Sequence, residues 1–429
     1  MNMKKKLIAA ILSLSLAVAP FSGVQAKEAK VAEKAIPTVQ EVVESAADTI
    51  LNNGAQSKVL SSDVAVTEEP EDTPVVEKKI HMYNLDGKVV SYMTPYYYTK
   101  RSQLESGKYN GYTAVIPGGY SKDVILPVKV NAKGALALAA VSAEGKELSA
   151  YVYSDSACKN MCSTSDDLYY LPKAATYYIK VYTYSLDEDI DNMIGVVLGF
   201  VSGANAELKN KGNVLSASFG TSSPIYYKMV ISRTSKITVR IDAKYSSYVT
   251  LCNSKKSAIT HEEYVYSSEG RAVYVVPKGT YYLKVKKSKE TFNIASVFTP
   301  VSNAAPSSKS KAGTLKVNGS TRNVLICPAD STGRTYYMKF YNPKRQKITL
   351  NVTSSFTSGK MQFQFLDSKN SSFGTRTIYN GINKKNVYKP YTYTSGSSSK
   401  TLPKGTYYIK FKKMDKKTSG IIQVNVKNK

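Results

Sequence analysis

The chain has 429 residues, of which 59 are Lys or Arg and 32 are Asp or Glu, so its formal net charge is +27. Four cysteines and two histidines are too few for a small disulfide-rich scaffold, and their spacing does not fit a zinc site. The length exceeds that of one ordinary domain, and the positive charge indicates an anionic partner.

The first 26 residues have the three parts of a secretory signal peptide. Residues 4–6 are lysines, an apolar stretch follows over 7–20, and Val24-Gln25-Ala26 is a small-x-small cleavage site. The apolar stretch is shorter than the roughly 20 residues that span a bilayer. We expect cleavage after Ala26, no transmembrane segment, and a protein that is secreted, extracellular or held non-covalently on the cell wall of a Gram-positive bacterium.

Residues 27–80 form an acidic segment with 6 Lys, 11 Asp or Glu and no aromatic residue. Apolar residues at helical spacing from Val39 to Leu51, preceded by Pro37, predict one short amphipathic helix. From Asn52 to Lys79 the composition is that of a disordered linker. We interpret the segment as a spacer.

From His81 onward the sequence consists of short alternating runs of Tyr, Val, Ile and Thr, with turn residues at about every 8–12 positions. This pattern predicts an all-β protein with three tandem antiparallel, jelly-roll-like β-sandwich domains. Linker-like composition near residues 203 and 303 sets the boundaries. They define a first repeat (81–203), a second repeat (204–303) and a third repeat (304–429).

One motif marks the repeats: Pro-Lys, one or two small residues, Thr-Tyr-Tyr, and then an alternating strand. It occurs at 172–181, 277–286 and 403–412. Pro and Gly favour a tight turn, so we predict a positive φ at Gly279 and Gly405. The first copy has Ala174-Ala175 instead and is one residue longer.

The strand after each turn is predicted to have a core face and a solvent face, because successive side chains point in opposite directions. The inward set is Tyr281, Leu283 and Val285 in the second repeat and Tyr407, Ile409 and Phe411 in the third. The outward set is Tyr282, Lys284 and Lys286 in the second repeat and Tyr408, Lys410 and Lys412 in the third.

A Lys-Ile-Thr-Val-x-Ile strand at 236–241, a polar hairpin at 142–148 and the closing Pro-x-Gly-Thr-Tyr-Tyr-x-Lys-Val run resemble the bacterial pre-peptidase C-terminal (PPC) domain family. The resemblance covers the chain from residue 110 onward. It implies β-sandwiches like those attached to secreted enzymes, where they assist export or substrate binding. Here no peptidase domain precedes the repeats, so we do not expect an accessory role to an enzyme in the same chain.

Residues for catalysis are sparse. A nucleophilic Ser or Cys needs an adjacent base, and the chain contains only His81 and His261. No Gly-x-Ser-x-Gly or His-Glu-x-x-His motif occurs. We predict that the protein is not an enzyme and holds no cofactor, with a secreted enzyme of unrecognised type as the less favoured alternative.

Two further groups were considered for metal or disulfide chemistry. Asp187, Asp189 and Asp191 alternate along a polar loop, as oxygen ligands of Ca²⁺ do, but a solvated hairpin tip is the favoured interpretation. Cys158 and Cys162 are close enough in sequence to pair. The other two cysteines, Cys252 and Cys327, lie in different repeats and are expected to be small buried residues.

Positive charge is concentrated in the third repeat, which has 20 Lys and 4 Arg against 3 Asp, whereas the first repeat has 11 basic and 12 acidic residues. Lysine acts as a point charge, which suits tolerant attraction to an anionic envelope polymer or other polyanion better than sequence-specific nucleic-acid recognition. A solvated lysine coat that protects strand edges is the alternative. The predicted polyanion-binding residues, on the solvent face or in hairpins, are Lys384, Lys385, Lys389, Lys404, Lys410, Lys412, Lys413, Lys416 and Lys417.

Tyrosine is abundant, with 34 residues, and tryptophan is absent. The outward Tyr178, Tyr282 and Tyr408 are candidates for stacking against glycans, with cross-strand packing as the alternative. The preferred function is a secreted, envelope-associated binding or structural protein anchored by its third repeat. A carbohydrate-binding accessory protein that uses tyrosine faces is the alternative.

Overall fold

The computed structural model describes residues 80–428 except 84–88, 95–96, 99–101, 105, 107, 117–122, 143–145, 185, 187–191, 268–269, 380–390 and 396–400. Within the described residues the chain is all-β and contains no helix, which confirms the predicted fold class. The signal peptide, the acidic linker with its helix, and Asp187, Asp189 and Asp191 lie outside the described residues.

The first repeat builds two sheets around one core. The eight-stranded sheet has the order β3-β2-β1-β5-β12-β7-β10-β9, and the four-stranded sheet has the order β4-β6-β11-β8. Val128, Leu136, Ile179 and Leu198 are among the buried residues between them. The strands are β1 (Ile80–Tyr83), β2 (Val89–Thr94), β3 (Tyr97–Tyr98), β4 (Ser102–Leu104), β5 (Lys108–Ile116), β6 (Val124–Val130), β7 (Gly134–Ser142), β8 (Ala150–Tyr153), β9 (Thr164–Ser165), β10 (Leu168–Leu171), β11 (Ala175–Val181) and β12 (Asn192–Ser202).

The second repeat has a five-stranded sheet, β13-β15-β20-β17-β18, and a four-stranded sheet, β14-β21-β16-β19. Its core includes Tyr227, Ile237, Leu283 and Ile294. The strands are β13 (Ala206–Glu207), β14 (Gly212–Ser218), β15 (Ile225–Ile231), β16 (Ser235–Asp242), β17 (Ser247–Cys252), β18 (Glu263–Val265), β19 (Gly270–Val276), β20 (Gly279–Lys287) and β21 (Glu290–Pro300).

The third repeat has the same arrangement, with the sheets β22-β24-β29-β26-β27 and β23-β30-β25-β28. Met338, Val352, Ile409 and Val424 lie in its core. The strands are β22 (Gly313–Leu315), β23 (Arg322–Ile326), β24 (Thr335–Asn342), β25 (Ile348–Ser358), β26 (Lys360–Leu366), β27 (Ser372–Tyr379), β28 (Tyr391–Ser395), β29 (Gly405–Lys413) and β30 (Ser419–Asn428).

The strand order of the three repeats is related by one rule. Adding nine to each strand number of the second repeat gives the strand order of the third. The orders β4-β6-β11-β8 and β5-β12-β7-β10 of the first repeat follow the same rule. In each repeat the edge strand pairs in parallel, as β4 with β6, β13 with β15 and β22 with β24. The intervening strand belongs to the opposite sheet, so the chain crosses over and returns in the same direction.

The chain divides into two compact units. One contains the described residues as far as Ala204 together with Leu215–Ala217, and the other contains Asn205–Val214 and Ser218–Lys429. The third repeat and all of the second repeat except Ala204 and Leu215–Ala217 therefore belong to one unit. Val275, Leu325 and Ile421 form a small buried cluster between them. Across the same joint, Ser419 Oγ lies 3.0 Å from both the amide nitrogen and the carbonyl oxygen of Val275.

The turn that leads into the closing strand follows the sequence prediction. Gly279 and Gly405 have φ angles of +159° and +156°. Ala175 stands at the equivalent place in the first repeat and does not have a positive φ. The extra residue of the first copy, Ala174, allows this turn without glycine geometry. In the third repeat Tyr407 donates a hydrogen bond of 3.0 Å to the Pro403 carbonyl, and this bond closes the turn.

Candidate polyanion-binding surface

The closing strand of each of the last two repeats places tyrosines and lysines on the outer face of a five-stranded sheet. Strand β20 pairs with β15 so that Tyr282 lies opposite Lys228 and Lys284 lies opposite Tyr226. Strand β29 pairs with β24 in the same register. We call these groups the Tyr–Lys faces: Tyr226, Lys228, Tyr282 and Lys284 in the second repeat, and Tyr337, Lys339, Tyr408 and Lys410 in the third.

These faces arise because successive side chains of a β-strand point to opposite sides of the sheet, so the residues of the Tyr-Tyr-x-Lys sequence alternate between core and solvent. One tyrosine of each pair points inward: Tyr227 and Tyr336 are buried, and Tyr407 is 5% exposed. Their neighbours Tyr226, Tyr337 and Tyr408 are half-buried on the outer side. Directly opposite side chains of an antiparallel pair have Cβ atoms about 5 Å apart, so each outward tyrosine lies next to a lysine residue.

A further lysine from outside the paired strands reaches each face. Lys256 Nζ lies 5.1 Å from the ring centroid of Tyr226 and 5.3 Å from that of Tyr282. In the third repeat Lys309 Nζ lies 4.4 Å from the ring centroid of Tyr408. These distances are within the range of cation–π attraction. Lys309 Nζ is also held by the Ser368 carbonyl at 3.1 Å and by Asn370 Oδ1 at 2.5 Å.

The three carboxylates of the third repeat have contact partners other than the lysines of its Tyr–Lys face. Asp330 forms an ion pair of 2.8 Å with Arg334 and accepts a hydrogen bond of 2.7 Å from Tyr336. Asp367 accepts a hydrogen bond of 2.7 Å from the Ser371 amide within a turn. Asp415 lies 2.8 Å from His261 Nε2 and also accepts from the Lys417 amide. Among the described residues, none of the three forms an ion pair with a lysine of this face.

One lysine on the closing strand of each of the other repeats has an acidic partner. Lys286 Nζ lies 2.7 Å from Glu262, and Lys180 Nζ lies 2.9 Å from Asp123. The ion pair with Asp123 raises the pKa of Lys180. The difference in charge between the repeats is therefore present in the local contacts as well as in the composition.

Lys413 is not on the solvent face, and its predicted position is wrong. Its side chain is fully buried, and Nζ donates to the carbonyls of Cys327 at 2.7 Å and Asp330 at 2.8 Å. Burial lowers its pKa to about 8. Lys287 is its counterpart in the second repeat, also buried, and forms an ion pair of 2.8 Å with Glu290. Both lysines continue the inward set of their strand, which places their side chains against the core.

The remaining predicted lysines do not form one cluster. Lys404 is exposed in the turn before β29, whereas Lys416 is exposed in the turn after it. The nine residues of β29 separate these turns by roughly 27 Å. Lys410 and Lys412 are half-buried between them, and Lys417 is half-buried in the second turn. Lys384, Lys385 and Lys389 lie outside the described residues.

The first repeat has a tyrosine cluster of a different kind. Tyr178 lies opposite Pro127 on one side and Tyr153 on the other, so its cross-strand partners are not lysines. Beside it, the ring of Tyr182 packs edge-on against Tyr151 and Tyr184 at centroid distances of 5.8 and 6.1 Å. Tyr184 is 74% exposed.

The described residues offer little for metal binding or nucleophilic chemistry. In the described part of the chain, no cluster of three or more His, Cys, Asp or Glu residues could hold a metal ion. All four cysteines are free thiols, with Cys162 and Cys252 buried. Among the same residues, no helix is long and apolar enough to cross a membrane.

Comparison with known proteins gives no family assignment. No family model matches the chain, and no curated protein matches it. Among solved structures, tripeptidyl peptidase 2 is similar at a TM-score of 0.19 and 9% identity, over 80% of this chain and 33% of that one. The CUB1-EGF-CUB2 region of human MASP-1/3 is similar at a TM-score of 0.15 and 7% identity, over 50% of this chain and 98% of that one. The chain thus spans about a third of the length of the first structure, and similarities this low carry no argument.

Proposed function

We propose that this chain is an exported, non-enzymatic binding protein that attaches to anionic polymers of the bacterial envelope through its third repeat. The observation that carries the proposal is that Asp330, Asp367 and Asp415 contact groups other than the lysines of the Tyr–Lys face. Lys309, Lys339, Lys410 and Lys412 therefore present charge that no ion pair with these three carboxylates offsets.

The chemistry of these side chains suits a polymer without a unique sequence. Lysine ammonium groups are compact, strongly hydrated charges without the fork geometry that arginine uses to recognise one partner. Several such charges on one face attract a polyanion over a distance set by the ionic strength. Retention on an envelope that is rich in anionic polymers follows from this attraction, and it needs no catalytic group.

A specific observation in the first repeat favours a second candidate function, which is stacking against neutral glycans. Tyr151 and Tyr184 are 40% and 74% exposed, and the nearby Lys180 is neutralised by Asp123. Exposed aromatic rings with little net charge suit sugar faces better than anions. This activity would be carried by a surface other than the Tyr–Lys faces, and it would respond differently to salt.

The two candidates are separated by salt. Chain lacking residues 1–26 is applied to isolated cell wall, to a heparin column and to a neutral polysaccharide, and each is eluted with a salt gradient. The proposal expects release from wall and heparin over the same range of salt, because ionic attraction is screened as the Debye length falls from about 8 Å to about 3 Å at 1 M. Retention that survives high salt on wall and on neutral polysaccharide would instead support the tyrosine-based function.

A further inference from the structure

We propose that the second repeat carries a second anion-binding subsite, built like the one in the third repeat, so that the chain binds one acidic polysaccharide at two places. This inference rests on the proposed function and extends it to a surface outside the strongly basic repeat. Each subsite is one tyrosine ring with three lysines around it. They are Tyr282 with Lys228, Lys256 and Lys284, and Tyr408 with Lys309, Lys339 and Lys410.

Two lysines of each subsite come from the paired strands. Lys228 has Tyr282 on one neighbouring strand and Glu207 on the other, and Lys339 has Tyr408 and Thr314 at the same places. Lys284 and Lys410 follow the tyrosine by two residues and so share its face. These positions result from the repeated motif and the common register.

The third lysine of each subsite comes from a different part of the sequence. Equivalent turns follow β17 and β26: the Asn253 amide donates to the Ser257 carbonyl at 2.9 Å, and the Asp367 amide donates to the Ser371 carbonyl at 3.0 Å. Within them Lys256 and Asn370 occupy the same place, with φ angles of +60° and +71°.

In each repeat the turn places an ammonium group over the equivalent tyrosine ring, but the two turns do so in different ways. Lys256 reaches Tyr282 with its own side chain. Asn370 is too short to do so, and its Oδ1 instead holds Lys309, which comes from the segment before β22 and lies over Tyr408. An ammonium group at this place is therefore present in both repeats although the turn residue differs. A lysine coat that serves only solubility gives no reason for an ammonium group at the same place in both repeats.

The first repeat lacks the arrangement. Its corresponding tyrosine, Tyr178, has Pro127 and Tyr153 as cross-strand neighbours, and the lysine two residues on, Lys180, is paired with Asp123. The arrangement of one tyrosine with three lysines is therefore specific to the second and third repeats.

The subsites favour an acidic polysaccharide over single-stranded nucleic acid. An ammonium group lies over a face of each ring, so a flat base has to displace it in order to stack there. A sulfate or carboxylate group on a sugar contacts the ammonium groups directly, and the sugar itself lies beside the edge of the ring. Nucleic-acid binding at these subsites is an outcome that the experiment below detects.

The test uses the chain without residues 1–26 and measures its affinity for heparin at fixed low salt. The variants are Lys256→Gln and Lys309→Gln. Their matched controls are Lys255→Gln and Lys311→Gln, which remove the same charge from exposed neighbours outside the subsites. Each subsite variant is expected to weaken binding about two- to fivefold, because solvent-exposed ion pairs are individually modest. The double variant is expected to lose about the product of the two factors, and the controls less than either.

The outcomes separate this inference from the proposed function. If Lys309→Gln weakens binding and Lys256→Gln equals Lys255→Gln, the second subsite is refuted while the anchor in the third repeat stands. If the unsubstituted chain does not bind heparin, the proposed function itself fails. If the two subsite variants weaken binding of single-stranded DNA as much as they weaken binding of heparin, the assignment to polysaccharide is overturned.

Discussion

Lys256 and Asn370 occupy the same position of equivalent turns, and both lead to an ammonium group beside an outward tyrosine. In the second repeat the turn residue supplies the ammonium itself. In the third repeat the turn residue binds the lysine that supplies it. The basic surface is therefore held in a defined arrangement by backbone turns and ring contacts.

The arrangement predicts a role for Asn370 in binding. Asn370→Gly retains the positive φ but removes the acceptor of Lys309 Nζ, so the lysine loses part of its fixed position. We expect heparin affinity to fall about twofold, since ordering a long side chain on binding has an entropic cost. Ser368→Gly, in the same turn, is the control, because it changes no charge and keeps the backbone carbonyl that contacts Lys309. Equal affinity of both variants and the unsubstituted chain would show that Asn370 does not position Lys309.

Burial predicts which lysines react with an amine reagent. Lys413 and Lys287 are 0% and 1% exposed, whereas Lys404 and Lys416 are exposed. We expect mass spectrometry after brief acetylation to show Lys413 and Lys287 modified at least about tenfold more slowly, because they react only after local opening. Rapid modification of Lys413 would contradict the buried position.

The low pKa of Lys413 predicts how stability changes with pH. Its folded pKa is about 8, against an ordinary value of 10.5, so between these values the unfolded chain binds the extra proton. Stability therefore rises with pH in this window, by about 1 kcal/mol between pH 8 and 9. Burial raises the pKa of Cys327 from 9.0 to about 12, so this thiol opposes the rise as the pH approaches and passes 9.

Urea unfolding at pH 8 and pH 9 measures this effect. Over the interval the unsubstituted chain should gain about 1 kcal/mol relative to Lys413→Met, because the variant has no proton to release at this position. Lys410→Met, on the outer face, should retain it. A gain that is the same in Lys413→Met would assign the effect to another group.

The alternation of the closing strands could be predicted from sequence, and the burial of Leu283, Val285, Ile409 and Phe411 confirms it. The same alternation of side chains places Lys413 inward. A charged residue at the end of a strand is, however, ordinarily predicted to face solvent. Burial of Lys413 depends on carbonyls near Cys327, more than 80 residues earlier in the chain. The sequence does not reveal such acceptors.

The positions of Lys256 and Lys309 could not be predicted either. The repeated motif contains the strand lysines, but both of these residues lie in turns distant from the tyrosines that they cover. Only the strand pairing in the folded structure shows that the turns after β17 and β26 lie beside equivalent tyrosines, Tyr282 and Tyr408. The charge excess of the third repeat was visible in composition, whereas the engagement of its three carboxylates was not.

The turn before β29 predicts a local stability effect. Gly405→Val is expected to destabilise the compact unit that contains it by about 1–3 kcal/mol, because φ of +156° is unfavourable for a branched residue. A Cβ atom there would lie 3.8 Å from the Tyr407 ring, so backbone strain and not a clash is the cause. Ala175→Val, at the equivalent place of the first repeat, is the control. Similar urea midpoints for both variants and the unsubstituted chain would contradict the strain.

The central claim is that the outer face of the third repeat, and not net charge alone, holds the chain on anionic polymer. The most direct measurement is the salt concentration that releases each of three full chains from isolated cell wall: unsubstituted, Lys410→Glu/Lys412→Glu, and Lys347→Glu/Lys427→Glu. Both doubly substituted chains carry the same net charge, but the second pair lies in or beside the strands of the other sheet. The account predicts release of the first doubly substituted chain at clearly lower salt than the second, with circular dichroism unchanged. Release of both at the same salt would contradict the account and support a solvated lysine coat.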